Sequence, residues 1–153
     1  MFQRCVRIEI GRGALQISAN DLIVSIVDDE LDITELFRDA ICDSIDGISI
    51  VTFNDPIIAL GHFADNKQDY ALVISDLRMP SINGLELLRI KSSSPNVRTI
   101  LMSDFNFEFD ELYRTYSAEG IIDSSIEKPV TIDALCQRVS DEFQVYQLKL
   151  HLR

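Results

Sequence analysis

The chain has 153 residues, enough for one domain with a buried core. Hydrophobic residues make up 46% and charged residues 25%, as in ordinary globular proteins. The formal net charge of -11 argues against direct binding to nucleic acid or to an anionic membrane. No apolar run approaches the roughly 20 residues of a membrane span, and the N-terminus lacks the apolar region of a signal peptide. We therefore expect a cytoplasmic protein.

The cysteine pattern predicts neither a disulfide framework nor a zinc site. Cys5, Cys42 and Cys136 are odd in number and far apart, and no CxxC or Cys/His ligand spacing accompanies them. This pattern fits a reducing compartment.

Residues 1–20 leave three structures open. Val6, Ile8 and Ile10 alternate with charged residues, as in a short half-buried strand, before two glycines interrupt the pattern. The segment could be an added edge strand, a flexible arm or an expression remnant. We favour a partly ordered extension.

From residue 21 onward, apolar β runs alternate with helical patterns. Strands are predicted at 22–27, 48–53, 71–76, 97–102 and from 120 onward, and helices at 33–45, 56–64, 84–91, in the second half of 104–119, and at 132–150. A fivefold strand–helix alternation indicates an α/β fold with a doubly wound, five-stranded parallel sheet and helices on both faces.

The predicted strand ends gather a chemically distinctive set of residues. Asp28 and Asp29 follow the first strand, Asp76 ends the third, Ser103 follows the fourth and Lys128 follows the fifth. Carboxyl ends of parallel strands are where open α/β sheets place their ligands. Clustered carboxylates suit Mg²⁺, a carboxylate can act as a phosphoryl nucleophile, and a lysine can pair with a phosphoryl oxygen. The chemistry indicates an aspartyl-phosphate site.

Four motifs together resemble the receiver domain of two-component response regulators. They are Val27-Asp28-Asp29-Glu30, Ser75-Asp76-Leu77-Arg78-Met79-Pro80 with Gly84, Ser103, and Lys128-Pro129. The resemblance covers residues 21–145 and implies a flavodoxin-like sheet with strand order 2-1-3-4-5. Residues 1–20 would then be an N-terminal extension, and residues 146–153 a C-terminal extension of the last helix.

The resemblance implies a role for each acidic residue. Asp76 would be the phosphoacceptor, taking a phosphoryl group from the phosphohistidine of a sensor kinase or phosphotransfer protein. Asp28, Asp29 and Asp76 would bind Mg²⁺, and the backbone carbonyl of Arg78 would complete the metal shell.

The resemblance also implies a switch and partners. Ser103 would follow the phosphoryl group, Lys128 would contact that group or the resting Asp76, and Pro129 occupies a position that is often cis. Output would pass to a downstream protein effector. The apolar spacing of the last helix continues to Leu150 and would allow a homodimer.

Two positions depart from the family pattern. Ser125 stands where the family usually has an aromatic residue, so the usual coupling between hydroxyl and ring is in question, and Tyr113 or Tyr116 could take over that part. Asp104 stands where a small residue is usual, and its charge should alter the lifetime of the phosphorylated state. The segment from Asp104 to Phe109 carries the extra length relative to the family.

Two other functions remain open at this point. One is a phosphorylation-independent interaction module, which the complete set of acidic residues and Lys128 argue against but which Ser125 and Asp104 keep open. The other is a Mg²⁺-dependent phosphatase with an aspartyl nucleophile. Such enzymes commonly carry an acid two residues after the nucleophile, whereas this chain has Arg78, which cannot serve as a general acid. We therefore expect a module that catalyses only its own phosphorylation and dephosphorylation.

Overall fold

The computed structural model describes residues 5–8, 22–104 and 111–152. In these ranges the strands form one parallel sheet in the order β1-β3-β2-β4-β5-β6. The strands are β1 (Val6–Ile8), β2 (Leu22–Val27), β3 (Ile48–Phe53), β4 (Tyr70–Asp76), β5 (Arg98–Ser103) and β6 (Ser124–Glu127). The helices are α1 (Leu31–Ser44), α2 (Pro56–Asp65), α3 (Gly84–Leu87), α4 (Ile90–Ser93), α5 (Glu111–Ala118) and α6 (Ile132–His151).

Apolar layers on both faces bury the sheet. All seven residues of β4 are buried, as expected for a central strand of a parallel sheet. Helices α1 and α6 cover one face, and α2, α3, α4 and α5 pack on the other. The order β3-β2-β4-β5-β6 is the predicted 2-1-3-4-5, so the doubly wound α/β fold is confirmed.

A short strand extends this sheet beyond the five predicted strands. In β1, Val6 lies opposite Ser49 of β3, at the outer edge. An added edge strand was one of the three possibilities for this segment. The rest of residues 1–20 falls outside the described residues, so the predicted extension stays a prediction.

The prediction that the cysteines form no disulfide is wrong. Cys5, just before β1, is bonded to Cys42 on α1, with the two Cα atoms 5.2 Å apart. That separation lies in the normal range for a disulfide. The two cysteines are 37 residues apart in sequence, and they meet only because β1 pairs at the sheet edge beside which α1 packs. Cys136 is a free thiol.

Local details also differ from the predicted element boundaries. The helix predicted at 84–91 is divided into α3 and α4. The last strand begins at Ser124 rather than Gly120, because Gly120 takes a positive φ of 76° at the end of α5. The predicted extra length after Asp104 falls mostly on 105–110, outside the described residues. None of the described helices has the length and apolarity needed to cross a bilayer.

The Cys5–Cys42 bond should stabilise the fold by closing a loop of 37 residues. We expect Cys42→Ser to lower the free energy of unfolding by about 2–4 kcal/mol under non-reducing conditions. Chemical denaturation measures this change, and Cys136→Ser is the control because Cys136 is not in the bond. Alkylation of the unreduced, denatured wild type should label one thiol. Labelling of all three cysteines would contradict the disulfide.

Candidate functional site

An ion pair lies at the carboxyl edge of the sheet. Asp76 is the last residue of β4 and is only 5% exposed. The Nζ of Lys128, which follows β6, lies 2.9 Å from Oδ1 of Asp76. Lys128 reaches this position because its N–H donates to the carbonyl of Ser103, the last residue of β5, at 2.8 Å. Two strand ends therefore fix the two members of the pair.

Two further carboxylates, Asp28 and Asp29, lie beside this ion pair. Asp28, Asp29 and Asp76 each offer an oxygen, and these oxygens all lie within 4.8 Å of one another. The Glu30 N–H donates to Oδ1 of Asp28 at 2.9 Å, but Oδ2 of Asp28 is buried and has no hydrogen-bond partner. A buried carboxylate oxygen without a partner, among other carboxylates, fits a hard divalent cation. These three residues could hold a metal.

Burial and charge shift the pKa values of two groups here. Burial raises the pKa of Asp28 from 3.8 to about 6, the Glu30 N–H partly offsets this, and the nearby Asp76 adds to the increase. Burial by itself would lower the pKa of Lys128, but the hydrogen bond and the charge of Asp76 outweigh it and the pKa is raised. Lys128 is therefore held as a cation beside Asp76.

The backbone after β4 is fixed by close packing. The Leu77 N–H donates to the carbonyl of Met102 at 2.9 Å, and the Gly84 N–H donates to the carbonyl of Leu77 at 2.8 Å. A Cβ built on Gly84 would lie 2.1 Å from the carbonyl oxygen of Asp76. Only glycine allows α3 to approach Asp76 this closely. Gly84 belongs to the predicted motif, but the sequence did not reveal this contact.

The remaining predicted residues line the same cleft or its neighbouring face. Asp104, Pro129 and the exposed Arg78 line a cleft of about 680 Å³ with the three aspartates and Lys128. Asp104 is exposed, and its charge helps to raise the pKa of Lys128. The Lys128–Pro129 peptide bond is cis, as the resemblance implied.

The buried Ser103 has a weakly engaged hydroxyl, which lies 3.4 Å from the carbonyl oxygen of Asp104.

Ser125 lies on the sheet face beneath α5. It pairs in register with Leu101, which belongs to the apolar layer on that face. Side chains alternate along a strand. Ser103 pairs with Glu127, which lies two residues after Ser125, so Ser103 and Ser125 are on the same face of the sheet. Tyr113 and Tyr116 of α5 are half-buried and pack against the same layer. Aromatic rings are thus present near Ser125, but they come from the helix rather than from the strand.

One residue of this edge was not singled out from the sequence. Asn54 follows β3, and its Nδ2 donates to the carbonyl of Asp28 at 2.8 Å and to Oγ1 of Thr34 at 3.0 Å. The sequence predicted only that a helix begins at Pro56. Asp55 caps that helix, because its Oδ1 accepts the Ile57 N–H at 2.9 Å.

A sequence model of the response regulator receiver domain matches residues 24–140. This chain belongs to that family. It is 32% identical over 127 residues to the cyclic di-GMP phosphodiesterase response regulator RpfG of Xanthomonas campestris, a match that covers 82% of this chain and 33% of RpfG. It is 31% identical over 129 residues to the DNA-binding transcriptional regulator NtrC of Escherichia coli, covering 82% of this chain and 26% of NtrC. The receiver domain therefore spans only about a third or less of these relatives.

Solved structures share this fold. A response regulator receiver domain protein from Clostridium thermocellum superposes with a TM-score of 0.71 at 21% identity, covering 83% of this chain and 98% of that one. NtrX from Brucella abortus, solved with ADP, gives a TM-score of 0.70 at 27% identity, covering 86% of this chain and 29% of NtrX.

The raised pKa of Asp28 predicts how stability depends on pH. Folding raises this pKa from 3.8 to about 6, so the metal-free native state loses stability as pH rises through that window. Asp28→Asn removes the titrating group. The variant should match the wild type near pH 4 and exceed its free energy of unfolding by up to about 3 kcal/mol near pH 7.

Urea unfolding in a metal chelator measures this difference. Asp69→Asn, which removes one exposed negative charge, serves as the charge-matched control. A destabilised Asp28→Asn at neutral pH would contradict the burial argument.

Proposed function

We propose that this receiver domain is a phosphoacceptor signalling module in which Asp76 takes a phosphoryl group from a sensor histidine kinase or a phosphotransfer protein. The observation that carries the proposal is the buried Asp76 paired with Lys128 at 2.9 Å inside a group of three carboxylates. Asp76 is buried, opens to the cleft and pairs with the cation Lys128.

The chain's own residues have distinct parts in phosphoryl transfer. An oxygen of Asp76 attacks phosphorus, a phosphorus–oxygen bond forms, and the phosphorus–nitrogen bond to the donor imidazole breaks, leaving its electron pair on nitrogen. Lys128 exchanges its contact with Asp76 for a phosphoryl oxygen. Ser103, whose hydroxyl is weakly engaged at 3.4 Å, donates to another phosphoryl oxygen and starts the switch.

The proposal includes Mg²⁺ as cofactor. Asp28, Asp29, Asp76 and the backbone carbonyl of Arg78 would hold it, and the unpartnered buried oxygen of Asp28 supports this assignment. When bound, Mg²⁺ supplies positive charge that stabilises the transferring phosphoryl group.

The module is proposed not to be an enzyme acting on a separate substrate. Arg78 stands two residues after Asp76, where phosphatases of this chemistry commonly carry a general acid, and arginine cannot act as one. A phosphorylation-independent interaction module is the second candidate, and the small Ser125 on the face beneath α5 favours it.

The same proposal covers the partners of residues 21–145. Output passes to a downstream protein effector, without direct contact of residues 21–145 with nucleic acid or membrane. The exposed Leu148 and Leu152 at the end of α6 support a homodimer through the last helices.

The proposed location is the cytoplasm. A reducing cytosol would favour the open form of the Cys5–Cys42 pair, so its redox state in cells tests this assignment.

Incubation with acetyl phosphate and Mg²⁺ tests the phosphoacceptor role. The wild type should gain one phosphoryl group that is stable in acid and labile in base, as an acyl phosphate is, and Asp76→Asn should gain none. Intact-mass spectrometry and peptide mapping measure the adduct. An unmodified, folded wild type would leave the interaction module as the better function, and many phosphates released per chain from a phosphate ester would favour the phosphatase.

Asp104 is proposed to modulate the reaction through its charge. Its carboxylate lines the cleft and interacts with Lys128, so it should repel an incoming phosphoryl donor. Asp104→Asn should accelerate phosphorylation by acetyl phosphate roughly two- to fivefold, the effect of removing an exposed like charge, and should change the lifetime of the adduct. The exposed Asp65→Asn on α2 is the matched control. Unchanged rates of both phosphorylation and dephosphorylation would exclude this role.

A further inference from the structure

The backbone of Asp28 is held from both sides by the end of β3. Its N–H donates to the carbonyl of Phe53 at 3.1 Å, and its carbonyl accepts the Asn54 side chain at 2.8 Å. The Asp28 carbonyl belongs to the peptide plane that leads into Asp29. Fixing this plane therefore restricts the direction of both acidic residues.

The Asn54 side chain is also hydrogen-bonded to α1, the helix that follows the acidic pair. Its Nδ2 donates to Oγ1 of Thr34 at 3.0 Å, and the fully buried Thr34 hydroxyl donates in turn to the carbonyl of Leu31 at 2.9 Å. The Thr34 N–H donates to the carbonyl of Glu30 at 3.2 Å. Asn54 thus joins the acidic loop and the first turn of α1 to the neighbouring strand.

Other roles do not account for this side chain. Asp55 caps α2, so the helix does not need Asn54 for its first turn. An asparagine amide has two N–H donors, and each of the two acceptors takes one of them. This position requires a side chain that donates hydrogen bonds, because the Asp28 carbonyl and the Thr34 hydroxyl oxygen both accept from it.

We infer that Asn54 is a positioning residue that presets Asp28 and Asp29 for a divalent cation without touching the cation itself. This inference rests on the proposed Mg²⁺ site. Mutual repulsion among three carboxylates favours their moving apart. Asn54 opposes that movement by fixing the backbone of the acidic pair, so that less of the binding free energy is spent on ordering the site.

Two substitutions separate positioning from simple charge. Asn54→Ala removes both hydrogen bonds. Asn54→Asp keeps the size but replaces the donors with acceptor oxygens and adds a negative charge. If net charge alone set cation affinity, Asn54→Asp would bind Mg²⁺ more tightly than the wild type. If positioning sets it, both variants bind more weakly.

The chain offers a closely matched control. Asn66 also donates its Nδ2 to a backbone carbonyl, that of His62, at 2.9 Å. It does so at the end of α2, away from the acidic residues. Asn66→Ala therefore removes the same kind of bond without affecting the site.

Calorimetric titration of the folded full chain with Mg²⁺ alone provides the test, with urea unfolding in chelator as a second readout. We expect the Kd for Mg²⁺ to increase about 10-fold or more in Asn54→Ala, as is typical for residues that orient metal ligands, and to stay unchanged in Asn66→Ala. At saturating Mg²⁺, the rate of phosphorylation by acetyl phosphate should return towards the wild-type value. A purely structural role would lower the free energy of unfolding and leave the Kd unchanged.

The outcomes distinguish this inference from the proposed function. A wild type that binds Mg²⁺ together with an unaltered Kd in Asn54→Ala overturns the positioning role and leaves the metal site intact. A wild type that binds no Mg²⁺ overturns both. If Asn54→Ala fails to fold, Asn54→Asp decides, and binding as tight as or tighter than that of the wild type overturns the inference.

Discussion

The repulsion among Asp28, Asp29 and Asp76 is the constraint that shapes the carboxyl edge of this sheet. Their oxygens lie within 4.8 Å of one another, and two of the three side chains are buried. Lys128 pairs with Asp76, but one lysine does not balance three carboxylates. The raised pKa of Asp28 reflects first its burial and then the nearby negative charge of Asp76. Three carboxylates in this condition could hold a divalent cation.

Rigid surroundings allow the fold to keep these charges together. The strands that carry them are buried between two apolar layers, and backbone hydrogen bonds fix the loops at their ends. Gly84 allows α3 to pack directly on the Asp76 carbonyl, and Asn54 holds the backbone of Asp28. Each contact limits the freedom of the acidic residues to separate. The arrangement resembles preorganised catalytic sites, in which the folding of the protein offsets the repulsion between like charges that are held close together.

A second group of charges in the described part of the chain is balanced, in contrast to the acidic cluster. Near the amino end of β5, Arg98 contacts Glu142 at 2.7 Å and Asp123 at 3.4 Å, and Lys91 also pairs with Asp123. Two cations meet two anions, so this network is balanced and joins α4, β5 and α6. The edge around Asp76 has an excess of negative charge instead. The two groups of charges therefore differ in charge balance.

Local patterns in the sequence determined much of this structure. Apolar runs gave the central strands, their spacing gave the helices, and the residues at the strand ends gave the acidic cluster and Lys128. These features were predictable because parallel strands bring their carboxyl ends to one edge, whatever the details of packing. The sequence also identified Tyr113 and Tyr116 as possible replacements for the missing aromatic residue at Ser125. Which of the two serves depends on how α5 packs on the sheet.

Tertiary structure decided what depends on contacts between distant segments. The pairing of β1 with β3 brought Cys5 to Cys42, against the prediction from their spacing. The reach of Asn54 to Asp28 spans 26 residues of sequence. Neither contact can be predicted from the residues next to it in the sequence. Each depends on where a distant partner lies in the folded chain. The sequence by itself located the acidic residues and Lys128 at the strand ends, and only the folded chain showed which residues hold them in place.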